Sequence, residues 1–244
     1  MQLVILGLNH KTAPVDVRER FSLSKHAIKE GLRNLNDYEG IREAVVLSTC
    51  NRSEMYAVVD DAEEDVETMR EFIFDLTGNE EDISEYLYTY ADEACIRHLF
   101  RVASSLDSLV LGEGQILSQV KEAYAIAREA STTSTVLNTL FHRAIKTGKR
   151  VRTETRIAYN SVSVSYAAVE LVRAKLGDLE GRAALIFGAG KMAELTAQHL
   201  AARGVKQILV ANRHYDKAEK LAEVIGGEAI PFEGALARAK DVDV

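Results

Sequence analysis

Ala44-Val45-Val46-Leu47-Ser48-Thr49-Cys50-Asn51-Arg52-Ser53-Glu54-Met55-Tyr56-Ala57-Val58-Val59 is the stretch around which the first half of this chain is organised. The aliphatic, β-branched run at 44–47 reads as a buried strand and residues 55–59 as a second, so residues 42–59 form two strands around Cys50. The polar residues between them mark where a strand emerges at a surface. A thiol stands there beside hydroxyls and a guanidinium, and a nearby cation favours thiolate, the nucleophilic form. Free cysteine is also among the most buried residue types. Thr49, Asn51 and Arg52 are poor core neighbours, so the site reading of Cys50 leads.

Outward from this hairpin, residues 3–8 read as a strand that runs into the polar turn Gly7-Leu8-Asn9-His10-Lys11-Thr12-Ala13-Pro14. Ser22 or Ser24 caps a helix reaching about Asn34. Residues 60–85 carry twelve acidic side chains against one basic, Arg70, and read as a solvated face with a helix bearing Phe72, Ile73 and Leu76. Residues 87–90 make a last short strand. The order β-α-β-β-α-β over the first 90 residues predicts an α+β, ferredoxin-like unit.

Extra helices follow. Cys95, Leu99, Val102 and Leu106 make one apolar stripe, which places Cys95 in a core, and His98, Arg101 and Ser105 fall on its polar flank. After a break at 106–114, a helix is expected from Gln115 to about Ala130. Ile116, Val120, Ala123 and Ala127 form its apolar face, with Gln115, Gln119 and Glu122 as a polar stripe. Residues 143–156 bear Arg143, Lys146, Lys149, Arg150, Arg152 and Arg156 against Glu154; this basic face reads equally as a phosphate contact or as solvated surface. Ser161 or Ser163 then opens a helix to about Lys175.

From residue 183 the pattern changes to α/β. Residues 183–187 read as a buried strand, and Gly188-Ala189-Gly190-Lys191-Met192-Ala193 as the turn into a helix, a Rossmann fingerprint with Ala193 in the third glycine position. Gly188 and Gly190 let the backbone approach a pyrophosphate, which the helix N-terminus binds. The next strand, 208–211, ends in Asn212-Arg213, where a guanidinium suits the 2′-phosphate of NADPH. A helix at 216–225, a short strand at 228–230 and the opening of a fourth strand at Asp241-Val242-Asp243-Val244 complete a Rossmann-like, NADP-binding domain that reads as truncated. A fragment of a longer protein is therefore expected, with domains at 1–157 and 158–244.

With 47% hydrophobic and 27% charged residues, the 244-residue chain has a globular, not a disordered, composition. No apolar run approaches the roughly 20 residues of a membrane span, so no membrane association is expected. Two cysteines make neither a disulfide framework nor a metal cluster, which fits a cytoplasmic setting. The net charge of −7 argues against indiscriminate nucleic-acid binding but leaves room for a local basic patch.

Four ordered segments carry a resemblance. They are residues 7–14 quoted above, Ser48-Thr49-Cys50-Asn51-Arg52-Ser53-Glu54-Met55-Tyr56, His98-Leu99-Phe100-Arg101-Val102-Ala103-Ser104-Ser105-Leu106-Asp107-Ser108 and Leu111-Gly112-Glu113-Gly114-Gln115-Ile116-Leu117. Together they resemble the glutamyl-tRNA reductase family. The resemblance implies a catalytic domain, an NADPH domain and a third, helical dimerisation domain that would lie beyond residue 244. It implies a homodimer at full length and a monomer or weak oligomer for the present stretch. Cys50 would attack the ester of glutamyl-tRNA(Glu) to form a thioester, which hydride from NADPH reduces to glutamate 1-semialdehyde. That is the first step toward 5-aminolevulinate and porphyrins, with glutamate-1-semialdehyde aminomutase as a partner. Carried over by motif, Thr49, Asn51 and Arg52 bind glutamate, with Arg52 as the bidentate partner of its side-chain carboxylate. Ser108, Glu113, Gly114 (through its backbone), Gln115 and Gln119 supply further substrate contacts, and His98 polarises the carbonyl or moves a proton.

Two other readings stay open at this point. A dehydrogenase of the shikimate dehydrogenase kind shares the Gly-Ala-Gly and Asn-Arg features but needs neither a catalytic cysteine nor tRNA. A non-catalytic tRNA-binding or regulatory module would keep the fold without the chemistry. Transfer of labelled glutamate from tRNA to the protein separates all three.

Overall fold

The apolar runs of the first half become strands, and the two-residue turn at Cys50 sets the order of the central pair. A computed structural model describes residues 1–78, 82–155, 157 and 164–244 and divides the chain into two units, Met1–Ser161 and Val162–Val244. In the first, β1 (Gln2–Asn9), β2 (Ile41–Thr49), β3 (Arg52–Val59) and β4 (Tyr88–Ala91) form an antiparallel sheet ordered β2-β3-β1-β4. With α1 (Val15–Arg20) and α2 (Lys25–Arg33) between β1 and β2, and α3 (Asp65–Thr77) between β3 and β4, this is the predicted ferredoxin-like arrangement. Ser24 is the cap of α2, its hydroxyl accepting the Ala27 N–H at 3.1 Å. The short α1 is an addition to the sequence reading; its six residues bury only Val17, too few to show a period.

Every residue of β3 is buried. Side chains alternate across a strand, so this burial needs cover on both faces. On one, Tyr56 meets Phe141 edge-on with centroids 5.5 Å apart; on the other, the Ser53 hydroxyl donates to the Phe21 carbonyl at 2.7 Å. The first cover comes from the added helices α4 (Asp92–Ala103), α5 (Ile116–Glu129) and α6 (Thr135–Glu154), with Tyr124 of α5 stacked on Phe141 of α6. Glu43, buried in β2, accepts the N–H groups of Ser134, Val136 and Leu137 at 2.7, 3.2 and 2.9 Å. A carboxylate on those donors caps α6 and complements its dipole, contributing about 1–2 kcal/mol. α6 also approaches α4 closely at Gly148. A Cβ there would lie 2.3 Å from the Ala103 carbonyl oxygen and 3.0 Å from a Leu117 methyl.

α4 corrects the sequence reading. Ser105 takes a left-handed φ of 59°, and the N–H groups of Ser105 and Leu106 donate to the carbonyls of Val102 and Arg101, both at 2.9 Å. This is a Schellman close. The helix ends at Ala103, so Leu106 leaves the apolar stripe and is 39% exposed, while Cys95, Leu99 and Val102 are fully buried. Ser105 leaves the flank for the interior, and His98 is buried because the rings of Tyr88 and Tyr90 cover it at 5.5 and 5.4 Å.

The second unit contains α7 (Val164–Leu176), β5 (Ala183–Phe187), α8 (Lys191–Ala202), β6 (Gln207–Ala211), α9 (Tyr215–Ile225) and β7 (Glu228–Ile230). Its Rossmann-like sheet is parallel and ordered β5-β6-β7. In place of a clear fourth strand, a 3-10 turn at Ala235–Asp241 leads to Asp243 and Val244. The Asp243 N–H donates to the Ala183 carbonyl at 2.9 Å, and the Leu185 N–H to the Val244 carbonyl at 2.8 Å. These bonds lie on the edge of β5 away from β6, where a doubly wound sheet places its fourth strand. The expected caps Ser161 and Ser163 and the basic Arg156 lie outside the described residues, and the 157/158 boundary falls where only Ile157 is described. Among the described residues no helix is long and apolar enough to cross a membrane.

Candidate active site

Cys50 and Asn51 alone join β2 to β3, with Thr49 paired to Arg52 across the turn. The Thr49 hydroxyl accepts the N–H groups of Asn51 and Arg52, both at 3.2 Å, which satisfies the tip locally. The His10 N–H donates to the Asn51 carbonyl at 2.9 Å, tying the tip to the turn after β1. Cys50 is exposed on this braced hairpin. It opens on a cleft whose near wall is Thr49, Cys50, Asn51 and Arg52. Ser108, Glu113, Gln115, Ile116 and Gln119 form the far wall. The Ser108 hydroxyl donates to Glu113 at 3.3 Å, and Glu113 also accepts the Gln115 N–H at 3.2 Å. Gly114 is not part of the lining; its carbonyl accepts from Arg152 at 3.1 Å.

Behind the cleft lies a buried ionic network absent from the sequence reading. Arg52 is 1% exposed, and its guanidinium donates to Glu54 at 2.6 Å and to the Asp107 carbonyl. Glu54 also accepts from Tyr88 at 2.6 Å and Tyr56 at 2.7 Å, and His98 Nε2 lies 2.9 Å from it. Burial pushes the Glu54 carboxyl up, but the Arg52 charge and the His98 and Tyr88 contacts outweigh it and bring the group down to about 2. The ionised carboxylate makes His98 Nε2 the donor. Two expectations change. Arg52 is not an open fork for a substrate carboxylate, because Glu54 and Asp107 already engage it. His98 does not line the Cys50 cleft; it lines a neighbouring cavity and is joined to Arg52 of the cleft through Glu54.

In the second unit Gly188 has a φ of 103°, a region closed to most side chains, and donates its N–H to the Ala211 carbonyl at 2.7 Å. A Cβ on Gly188 or Gly190 would meet nothing within 4 Å, so the open backbone fits a pyrophosphate. Gly190 caps α8, Lys191 pairs with Glu194 at 2.9 Å, the Met192 carbonyl accepts from Ser165 at 3.2 Å, and Ala189 and Ala193 pack against the core. After β6, the Asn212 amide donates to the His214 carbonyl at 2.9 Å, and the Arg213 guanidinium lies 5.9 Å from the Phe232 ring centre.

An exposed thiol above a polar cleft, followed in the chain by a Rossmann-like unit, defines a dehydrogenase-type protein with a cysteine site. Residues 6–155 match the family described as Glutamyl-tRNAGlu reductase, N-terminal domain, and residues 170–244 match Shikimate / quinate 5-dehydrogenase. Glutamyl-tRNA reductase of Pelobacter propionicus is 49% identical over 245 residues, covering 100% of this chain and 56% of its own. That of Desulforudis audaxviator is 50% identical over 234 residues, 96% of this chain and 52% of its own. A solved structure of glutamyl-tRNA reductase from Methanopyrus kandleri aligns with a TM-score of 0.62 at 38% identity, over 99% of this chain and 57% of that one. The chain belongs to the glutamyl-tRNA reductase family, and it spans about half the length of the curated relatives it matches. Its second unit is a nucleotide-binding domain of the NADP-type dehydrogenases.

Proposed function

We propose that this chain performs acyl transfer from glutamyl-tRNA(Glu) to Cys50, with residues 1–157 binding glutamyl-tRNA and residues 158–244 binding NADPH. The observation that carries the reading is the exposed Cys50 thiol facing Ser108, Glu113, Gln115 and Gln119 across one cleft. Cys50 Sγ attacks the ester carbonyl; the C–S bond forms as the C–O bond to the terminal ribose breaks, and the ribose oxygen leaves with a proton. The thioester is more electrophilic than a carboxylate, so a hard reduction divides into two easier steps. Glu113 suits the substrate ammonium, while Asn51, Ser108, Gln115 and Gln119 offer neutral donors to its carboxylate. Thr49 holds the turn, Arg52 forms the charged floor, and Gly114 sets Glu113 and Gln115 side by side. His98 remains the candidate for polarising the carbonyl or moving a proton, through the ring nitrogen Glu54 does not hold.

Residues 188–193 would hold the pyrophosphate, and Asn212 and Arg213 the 2′-phosphate. When bound, NADPH supplies the hydride that takes the thioester to the aldehyde. On the family's account we also assign the first step toward 5-aminolevulinate in the cytoplasm, delivery of the product to glutamate-1-semialdehyde aminomutase, and dimerisation of the whole protein. The test is incubation with tRNA charged with labelled glutamate. Label should stay on the denatured protein and be released by hydroxylamine; an unlabelled protein would sink the reading.

A further inference from the structure

Beside the Cys50 cleft lies a larger cavity, of about 330 Å³, most of whose lining the acyl transfer above leaves without a role. Ala94, Arg97, His98 and Arg101 enter it from one stripe of α4 at i, i+3, i+4 and i+7. Tyr88 and Tyr90, alternate residues of the edge strand β4, also line it, with rings stacked 5.2 Å apart at 27°. Tyr88 is pinned by its hydroxyl to Glu54, whereas Tyr90 is 40% exposed. Lys11 pairs with Asp107 at the rim, and Arg97 with Glu93 at 2.5 Å; Arg101 has no carboxylate partner among the described residues.

An exposed aromatic ring takes a nucleobase by stacking, and an uncommitted guanidinium takes a phosphate. We infer that this cavity receives the 3′-terminal nucleoside of the aminoacyl-tRNA, with its base on Tyr90 and its 5′-phosphate at Arg101 and Lys11. The inference rests on the glutamyl-tRNA reading of Cys50. The placement suits an ester that joins two unlike groups. Asp107 lines the cavity and Ser108 the cleft, with the Asp107 carbonyl bonded to Arg52 between them. A second tie is the turn after β1. Lys11 and Thr12 line the cavity, while the His10 N–H holds the tip that carries Cys50. With the glutamyl group in the cleft and the nucleoside in the cavity, the ester falls at their shared wall.

The test is calorimetric titration of the chain with the trinucleotide CpCpA and, separately, with reduced nicotinamide mononucleotide, which offers similar chemistry from the cofactor. CpCpA is expected to bind. Tyr90→Ala should weaken it on the order of tenfold without changing its salt dependence. Arg101→Gln should flatten the slope of log affinity against log salt by about 0.7. With glutamyl-tRNA, both variants should raise the KM of acyl transfer more than they lower kcat. CpCpA affinity unchanged in both variants, or binding of the mononucleotide alone, overturns the inference. Labelling of wild-type Cys50 from a small glutamyl ester separates the two failures. Label there with unchanged CpCpA binding removes only the nucleoside subsite, whereas no label from either donor removes the acyl-transfer reading and the subsite with it.

Discussion

Cys50 and Cys95 carry the same thiol into opposite surroundings. Cys50 is exposed at a turn, whereas burial, followed by the charges of Glu54 and Asp92, pushes the Cys95 thiol up to about 12. Iodoacetamide should therefore modify Cys50 alone in the folded chain. Cys50→Ser should abolish protein-bound glutamate and Cys95→Ala should keep it; label surviving in the first variant would remove Cys50 as nucleophile. Glu54 offers a second test. Its carboxyl falls on folding from an ordinary 4.5 to about 2, so its stabilisation is present above about 4.5 and is lost as pH drops toward 2. Glu54→Gln keeps the shape but removes the nearer of the two carboxylates paired with buried Arg52, leaving Asp107 at 3.7 Å, and should cost up to about 3–5 kcal/mol near neutral pH. In urea unfolding, the gap between variant and wild type should close as pH falls from 4.5; a constant gap would point to another group. Thr49, Cys50, Asn51 and Arg52 were legible because polar types flanking a strand end have few structural uses, whereas Ser108, Glu113, Gln115 and Gln119 came only from the family resemblance. Glu54 was not, since alternation suggests a solvent-facing carboxylate and only the helices added over β3 bury it.

At the scale of elements, strands and long helices follow from their apolar periods. Their ends depend on partners far away in sequence. Glu43 caps α6 from 91 residues earlier, and no local motif announces it. The close of α4 needed a left-handed Ser105, a conformation that serine does not advertise. The turn after β5 was readable because only glycine takes φ near 103° without strain. The end of β6 was readable by charge. A charge-assisted contact to a 2′-phosphate is worth about 1.5–3 kcal/mol. Arg213→Ala should therefore weaken NADPH roughly ten- to a hundredfold and NADH little, measured by titrating the fluorescence of each reduced cofactor. An equal loss for both would give Arg213 another role.

Over the whole molecule, the proposed function asks a chain of net charge −7 to accept a polyanion. Acidic residues crowd 60–85, while α6 exposes Arg143, Lys146, Lys149 and Arg150 opposite its buried stripe. If phosphates meet that face, Lys146→Ala with Lys149→Ala should reduce the salt slope of tRNA affinity by about 0.7–0.9 per cation removed. Anisotropy of labelled tRNA across a salt series reads this directly, and an unchanged slope gives the face to solvent. The same helix carries Gly148 on its inner side, where no room remains for a methyl group. In mechanical terms this is a bearing with zero clearance. The carbonyl it abuts, at Ala103, ends α4 just before the turn that delivers Asp107 to one chamber and Ser108 to the other. A methyl at 148 touches neither chamber, yet the displacement it forces has both walls in its path. Gly148→Ala should slow acyl transfer by more than its loss of stability explains, so at this position the machine is limited by tolerance and not by chemistry.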